Sequence, residues 1–343
     1  MKVTKALAIA ATATVVALSF SAGNARAAKY EWTFQTSAQA GDNFFKIEQA
    51  WADRVNAMSG DRIEIEILPV GAVVAHNETL EAVGAGILQG HLTDPSYFAG
   101  KDPAFAMLGN LVGAWSDPDQ MLKFMNYGGG KELFNELVEP YGLHFIGASA
   151  TGLEAFLSTK PLNGVDDLEG LKMRAPEGMV QEVFARAGAA PVNLPGSEVY
   201  TSLEKGVIGA ADYTVFSTNH DLGMHEFADN PVYPGFHSLP VVEVSLNKQI
   251  WDGLPEDLKA ILEVSVRDFA RDMVARLEVA DAKAVAEARA NPDITISDWP
   301  ESERAKFREI ARGVWKDWAG RSDMAGKVYE QVTAHMRGVG LLQ

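Results

Sequence analysis

The strongest constraint on the fold is a strand–helix–strand unit packed between Tyr30 and Pro69. In Tyr30-Glu-Trp-Thr-Phe34 the aromatics alternate, as on a strand with one buried face. Phe44, Ile47, Trp51, Val55 and Met58 then recur at three- and four-residue steps, a helical stripe closed by Gly60. Ile63, Ile65 and Ile67 alternate with Glu64 and Glu66 until Pro69 stops the run. Strands joined through a helix run parallel, so the chain opens with a βαβ unit and a parallel sheet.

The alternation continues. Asn77 to Leu88 reads as a helix, and Ser116-Asp-Pro-Asp119 as a capping box that opens another. A helix from Lys131 to Tyr141 precedes a strand from Leu143 to Ala148. Helices over Met179–Ala187 and Gly196–Lys205 lead into short strands around Val192 and over Ile208–Tyr213, and Val241–Leu246 is a further strand. The tail is different. From Glu256 to about Ala288 there is neither Pro nor Gly, and Leu258, Ile261, Leu262, Phe269, Met273 and Leu277 keep helical spacing. Such a helix spans about 50 Å, longer than one lobe, and is expected to cross two. Helices over Glu301–Trp318 and Asp323–Arg337 close the chain.

Residues 1–27 read as a secretory signal peptide. Lys2 and Lys5 give the positive start, Ala6 to Phe20 is uncharged and apolar-rich, and Ala25-Arg26-Ala27 offers small residues for cleavage. A membrane-spanning helix needs about 20 apolar residues, more than this run supplies. The protein is therefore expected in the periplasm. The remaining length exceeds what one core usually holds, so two lobes are expected. Loss of Lys2, Lys5 and Arg26 takes the net charge from −16 to −19, which disfavours nucleic acid and anionic membranes as partners. The chain has no cysteine, which excludes disulfides, thiol nucleophiles and thiolate metal sites.

Enzyme signatures are missing. There is no Walker A pattern, and Gly84-Ala-Gly86 lacks the third glycine of a dinucleotide fingerprint. Ser149, in Gly147-Ala-Ser-Ala-Thr151, is one residue short of a nucleophile elbow, which disfavours an α/β hydrolase. The histidines form no HExxH, and His220 and His225 are spaced wrongly for adjacent turns of one helix face. These absences favour binding over catalysis.

The informative region is Asp166 to Tyr213. It holds Asp167-Leu-Glu-Gly-Leu-Lys-Met-Arg174, Pro191-Val-Asn-Leu-Pro-Gly-Ser-Glu198 and Leu203-Glu-Lys-Gly-Val-Ile-Gly-Ala-Ala-Asp-Tyr213. Asn247-Lys-Gln-Ile-Trp251 and Leu254-Pro255 follow, with Ile261-Leu262 beyond. In this order of motifs the chain resembles the substrate-binding proteins of tripartite ATP-independent periplasmic (TRAP) transporters, the DctP-type family. Tyr97 with Gly100-Lys-Asp-Pro103, Tyr127-Gly-Gly-Gly130 and Leu194-Pro-Gly-Ser-Glu198 make it most similar to the branch that binds 2-oxo acids and lactate. That branch holds a small carboxylate beside a metal ion, and its members tend to dimerise through a swapped helix.

The resemblance implies a set of site residues. Arg174 would clamp the ligand carboxylate, since its planar fork makes two parallel hydrogen bonds that Lys cannot. The alternative for Arg174 is pairing with a structural acid at a strand end. Asp212 and Tyr213 stand where the branch usually has an acid and a Trp, so Asp212 would ligate a metal and Tyr213 wall the pocket. Glu243 stands at a further pocket acid, although an acid amid β-branched residues also suits the solvent face of a strand. Glu154 replaces the usual Gln that contacts ligand and cation. A carboxylate there repels an acid ligand unless a cation lies between them or the ligand brings a donor. Ca2+ or Na+, taken by hard oxygen ligands, would fill that role. Tyr97 and Gln35 are the pocket candidates from the first lobe.

The expected fold is α/β, a two-lobe periplasmic binding protein with a long helix crossing both lobes and extra C-terminal helices. Lobe 1 would comprise residues 28–149 with 238–256, lobe 2 residues 150–237, and residues 257–343 would pack on both. The expected function is capture of a small organic anion for a TRAP membrane permease, without catalysis, by a protein that forms a homodimer. Rival readings are the same scaffold with a sulfonate, sugar acid or zwitterion as ligand, an exported sensor subunit, or a hydrolase.

Overall fold

A computed structural model describes residues 30–194 and 196–342. The expected signal peptide lies outside them. Strand β1 (Tyr30–Thr36) buries Trp32 and Phe34, and β2 (Ile63–Leu68) buries its three isoleucines while Glu64 and Glu66 face outward. The helix Asn43–Ser59 joins them, capped by the Asp42 carboxylate on Phe45 N–H and ended by Gly60 in the left-handed region. The two strands pair in parallel, with Trp32 opposite Ile65, as the alternation requires.

The first sheet is completed by β3 (Gly90–Thr93), β4 (Leu143–Ala150) and β9 (Val241–Asn247), in the order β2-β1-β3-β9-β4. Strand β9 lies between β3 and β4, antiparallel to both and buried along its whole length. The second sheet has the order β5-β8-β6-β7, from β5 (Ala155–Ser158), β6 (Lys172–Arg174), β7 (Ala190–Val192) and β8 (Ala210–Thr214). Here β6 is parallel to both neighbours, with Arg174 opposite Ala211.

Two extended segments carry the chain between the sheets. Residues 151–154 lead from β4 to β5, and residues 231–240 return toward β9. They run side by side: Glu154 N–H donates to Ser238 O at 2.9 Å and Thr151 N–H to Pro240 O at 3.3 Å. The approach demands a glycine, because a Cβ on Gly235 would fall 2.1 Å from the Glu154 carbonyl oxygen.

The long helix is continuous from Glu256 to Ala290. Its first half buries Leu258, Leu262, Val266, Phe269 and Met273 in the core of the first sheet, where Ser265 accepts the Trp51 indole N–H at 3.0 Å. Its second half reaches the helix Phe216–Asp221, which it caps through Asp281 on Ser217 N–H at 2.7 Å. One helix thus braces both lobes, as its expected length of about 50 Å predicts. The closing helices Glu301–Ala319 and Asp323–Gly338 bridge them again: Trp315 donates to Val112 O at 3.0 Å, while Glu182 accepts from Trp318 and Arg321.

Two local expectations need correction, and a third feature gains a partner. The run Asn77–Leu88 is not one helix but a 3-10 turn, His76–Glu78, and a short helix, Thr79–Gly84. Gly86 turns there at a φ of +75°, and a Cβ on Gly84 would meet Tyr141 O at 2.1 Å. In the run Gly196–Lys205 the α-helix covers Val199–Glu204. His220 and His225 do meet, with their Nδ1 atoms 3.1 Å apart. The helix ends at Asp221, and Gly223 in the left-handed region folds the chain back, so helical spacing does not govern the pair.

Candidate functional site

Strands β6 and β8 run parallel and end side by side, which puts Arg174, Asp212 and Tyr213 at their carboxyl edge, the usual place for a ligand in an α/β sheet. The two inter-sheet segments add Glu154 and His237 to the same spot. Glu154, Asp212 and His237 are all buried, and one ligand atom from each lies within 4.8 Å of the others.

Asp212 is the centre. Its Oδ2 accepts from Ser238 Oγ at 3.0 Å and lies 3.1 Å from His237 Nε2. Arg174 donates from Nη1 to Asp212 O at 2.6 Å, approaches Oδ1 at 3.5 Å, and donates from Nε to Leu194 O at 3.1 Å. Burial raises the Asp212 pKa, but His237, Arg174 and Ser238 outweigh it and hold the carboxylate below its ordinary range. Glu154 goes the other way. Burial, with the charges of Asp212 and Asp94, pushes its carboxyl well above the ordinary range. The site therefore sets a carboxyl pushed toward its neutral form beside one held toward its charged form, as two carboxyl groups in one buried space do.

Tyr213 lies under the guanidinium, with Arg174 Cζ 6.0 Å from its ring centroid. Tyr97 comes from the first lobe, its ring edge-on to His76 and partly exposed. Burial raises its hydroxyl pKa, and the hydroxyl feels the charges of Asp94, Arg174, Glu154 and Asp212 across the cleft. Asp94, just after the end of β3, is pushed up to about 6, first by burial and then by Asp212 and Glu243, although it accepts Ser96 N–H at 2.8 Å.

Two expected site residues lie apart from this group. Gln35 is fully buried and its amide ties down a loop, donating to Val74 O at 2.8 Å and accepting from the N–H groups of Val73 and Val74. Glu243 lies opposite Thr93 and Ala148 in the first sheet, where Oε1 accepts from Ser245 Oγ and meets His91 Nε2 at 3.2 Å. It is not on a solvent face, because β9 is covered on both sides. His237 is the site residue that sequence reasoning misses. No local motif marks it, and its role depends on pairing of two segments about 80 residues apart in sequence.

Among the described residues no helix is long and apolar enough to cross a membrane. The profile of the DctP family, bacterial extracellular solute-binding protein family 7, matches residues 34–321. A TRAP periplasmic solute-binding protein from Rhodobacter sphaeroides, solved in an apo open form, is 53% identical, with a TM-score of 0.80 over 91% of this chain and 99% of its own. A TRAP periplasmic solute-binding protein from Pseudoalteromonas atlantica, solved with sodium and pyruvate, is 26% identical, with a TM-score of 0.79 over 91% and 95%. A monocarboxylate 2-oxoacid-binding periplasmic protein of Nostoc sp. is 26% identical over 340 residues, 98% of this chain and 93% of that protein.

Proposed function

The chain belongs to the DctP family of bacterial extracellular solute-binding proteins, and from that membership we propose that it captures a small monocarboxylate of the 2-oxo acid class between its two lobes. It is a periplasmic solute-binding protein of a TRAP system and not an enzyme. The lobes, residues 28–149 with 238–256 and residues 150–237, would close on the solute about the paired inter-sheet segments, with residues 257–343 bracing both. The closed form then delivers the solute to the membrane components.

The observation that carries this reading is the setting of Arg174. Its side chain is mostly buried, Nε and Nη1 are fixed by backbone oxygens, and Nη2 has no partner among the described residues. A guanidinium already oriented binds a carboxylate at little entropic cost. The Glu154 difficulty also eases. The push of Glu154 toward its neutral form lessens its repulsion of an acid ligand, while a cation bound among Glu154, Asp212 and His237 would serve the same end. Pyruvate and monocarboxylate 2-oxoacids in the two relatives at 26% identity favour this class over a sulfonate, sugar acid or zwitterion.

A thermal-shift screen of the mature protein against small organic acids tests the proposal. A 2-oxo monocarboxylate at 100 times its Kd should add about 2.7 kcal/mol of stability. R174A should remove most of that shift. Retention of the full shift in R174A, or shifts with sulfonates or zwitterions in place of 2-oxo acids, would overturn it.

A further inference from the structure

We infer that Arg304 and Arg308, one turn apart on the closing helix Glu301–Ala319, are positioning residues for solute capture. They pin the return segment on either side of His237 and so hold Asp212 and Glu154 in place beside Arg174, without touching the solute. The inference goes beyond the proposed function and rests on it for the affinity measurements alone.

The return segment does not hold itself. Between Val232 and Val241 it belongs to neither sheet, so its carbonyls have no ladder and need donors from elsewhere. Arg304 supplies two of them, from Nη2 to Pro234 O at 2.9 Å and from Nη1 to Gly235 O. It is itself held, with Nε on Trp299 O at 3.0 Å and Nη2 on Asp298 Oδ1 at 2.9 Å. A planar fork spans two successive carbonyls in one fixed geometry, which an ammonium does not. The side chain is 16% exposed, so little water competes for these bonds.

Arg308 acts one turn further on. Its Nε donates to Gly113 O at 2.9 Å and its Nη2 to Ser116 Oγ at 3.1 Å. Gly113 N–H in turn donates to His237 O at 2.6 Å. One guanidinium thus grips the chain just before His237, and the other grips His237's own carbonyl through Gly113. Between them Phe307 meets Phe236 edge-on at 5.0 Å, while Trp299 stacks on Phe236 at 3.9 Å. Four consecutive residues, 234–237, are fixed in this way.

What they fix is the site. Gly235 lies against the Glu154 carbonyl, and Glu154 N–H donates to Ser238 O at 2.9 Å. His237 Nε2 lies 3.1 Å from Asp212 Oδ2, to which Ser238 Oγ donates at 3.0 Å. Asp212 O accepts from Arg174 Nη1. The contacts therefore run without a break from the closing helix to the guanidinium that meets the solute. The helix is a firm base for them, because Glu303 accepts Val165 N–H from the second lobe at 2.8 Å and Trp315 donates to Val112 O in the first. Side chains held from behind keep their geometry, and a site loosened there binds less well.

The test combines amide hydrogen exchange with pyruvate titration on the whole mature protein, as wild type, R304A, R308A and K306A. Lys306 lies on the same helix and pairs with Asp166 at the surface, so K306A serves as the control. R304A is expected to speed exchange at Glu154 N–H and R308A at Gly113 N–H, while the amides of β1 and β2 keep their rates. Each should weaken pyruvate binding to folded protein by about 3- to 30-fold, and K306A should change neither quantity. R304K, which keeps the charge and loses the fork, should fall between R304A and wild type. If R304A does not fold, R304K and R308A carry the same measurements. Wild-type exchange at both amides in the folded variants would overturn the inference, as would faster exchange with wild-type affinity. A loss of affinity in K306A equal to that in R304A would also overturn it, by assigning the effect to any loosening of the helix. If wild type binds neither pyruvate nor related acids, solute capture falls, while exchange at Glu154 and Gly113 still decides whether the two arginines pin the segment.

Discussion

Two buried acid–histidine pairs of nearly equal separation lie among the described residues, and they are not alike. Glu243 meets His91 at 3.2 Å in the first sheet, and Asp212 meets His237 at 3.1 Å at the edge of the second. Around the first, the ring is saturated: His91 Nδ1 lies 3.1 Å from Thr79 Oγ1, Nε2 faces Glu243, and Ser245 donates to the same carboxylate oxygen. The ring also stacks on Phe98. Around the second, His237 Nδ1 has no partner among the described residues, while its acid is shared among Arg174, Ser238 and His237. A pair whose ring is engaged at both nitrogens holds the fold, even though Glu243 Oε2 has no partner among the described residues. An unsaturated one, at the carboxyl ends of parallel strands, is poised to bind.

Breaking the saturated pair should cost the most. H91A leaves the buried Glu243 and Thr79 without their partner and should lower stability by about 3–5 kcal/mol, measured by denaturant unfolding, with solute affinity unchanged in the folded fraction. A drop in affinity out of proportion to folded protein would place Glu243 in the solute site after all.

Glu48 separates burial from binding. It lies in the first-lobe core with Oε2 unpartnered, and burial pushes its carboxyl up to about 8 from 4.5. A raised folded pKa means that the folded state keeps the proton longer, so stability is highest below 4.5 and is lost as pH rises toward 8. The contribution amounts to about 5 kcal/mol across that window. Unfolding of wild type and E48Q at a series of pH values should show a slope that E48Q flattens. Identical slopes would contradict the assignment.

At the unsaturated pair the signs reverse. R174A should lose about 2–3 kcal/mol of solute binding, roughly 30- to 150-fold in Kd measured on the folded fraction, because the removed group is a charged donor to the ligand. K101A supplies the small end of the scale. Lys101 pairs with Glu81 at the surface, both side chains about two-fifths exposed or more, and its loss should change stability by under about 1 kcal/mol.

Much of the scaffold could be read from residues alone. Alternation in Ile63–Ile67 and the helical stripe from Phe44 to Met58 define the first βαβ unit, and the stretch without Pro or Gly after Glu256 defines the bracing helix. Strand β3 has no such signal, because Gly90-His-Leu-Thr93 is short and covered on both faces, so no polar alternation marks it. The site divides in the same way. Arg174 and Asp212 are near in space because β6 and β8 pair, a neighbourhood that the motif order suggests. His237 joins them only through the contact of the two inter-sheet segments, which no periodicity records. Gln35 looks like a pocket residue in sequence, yet its amide is consumed by the loop at Val73 and Val74.

The central claim is that Arg174 holds the carboxylate of a captured acid. Calorimetric titration of pyruvate into wild type, R174K and R174A under one metal condition tests it most directly. The account predicts saturable binding in the wild type, weakened binding in R174K, where the charge stays but the fork is lost, and the weakest binding in R174A. Equal affinity in wild type and R174A would contradict it.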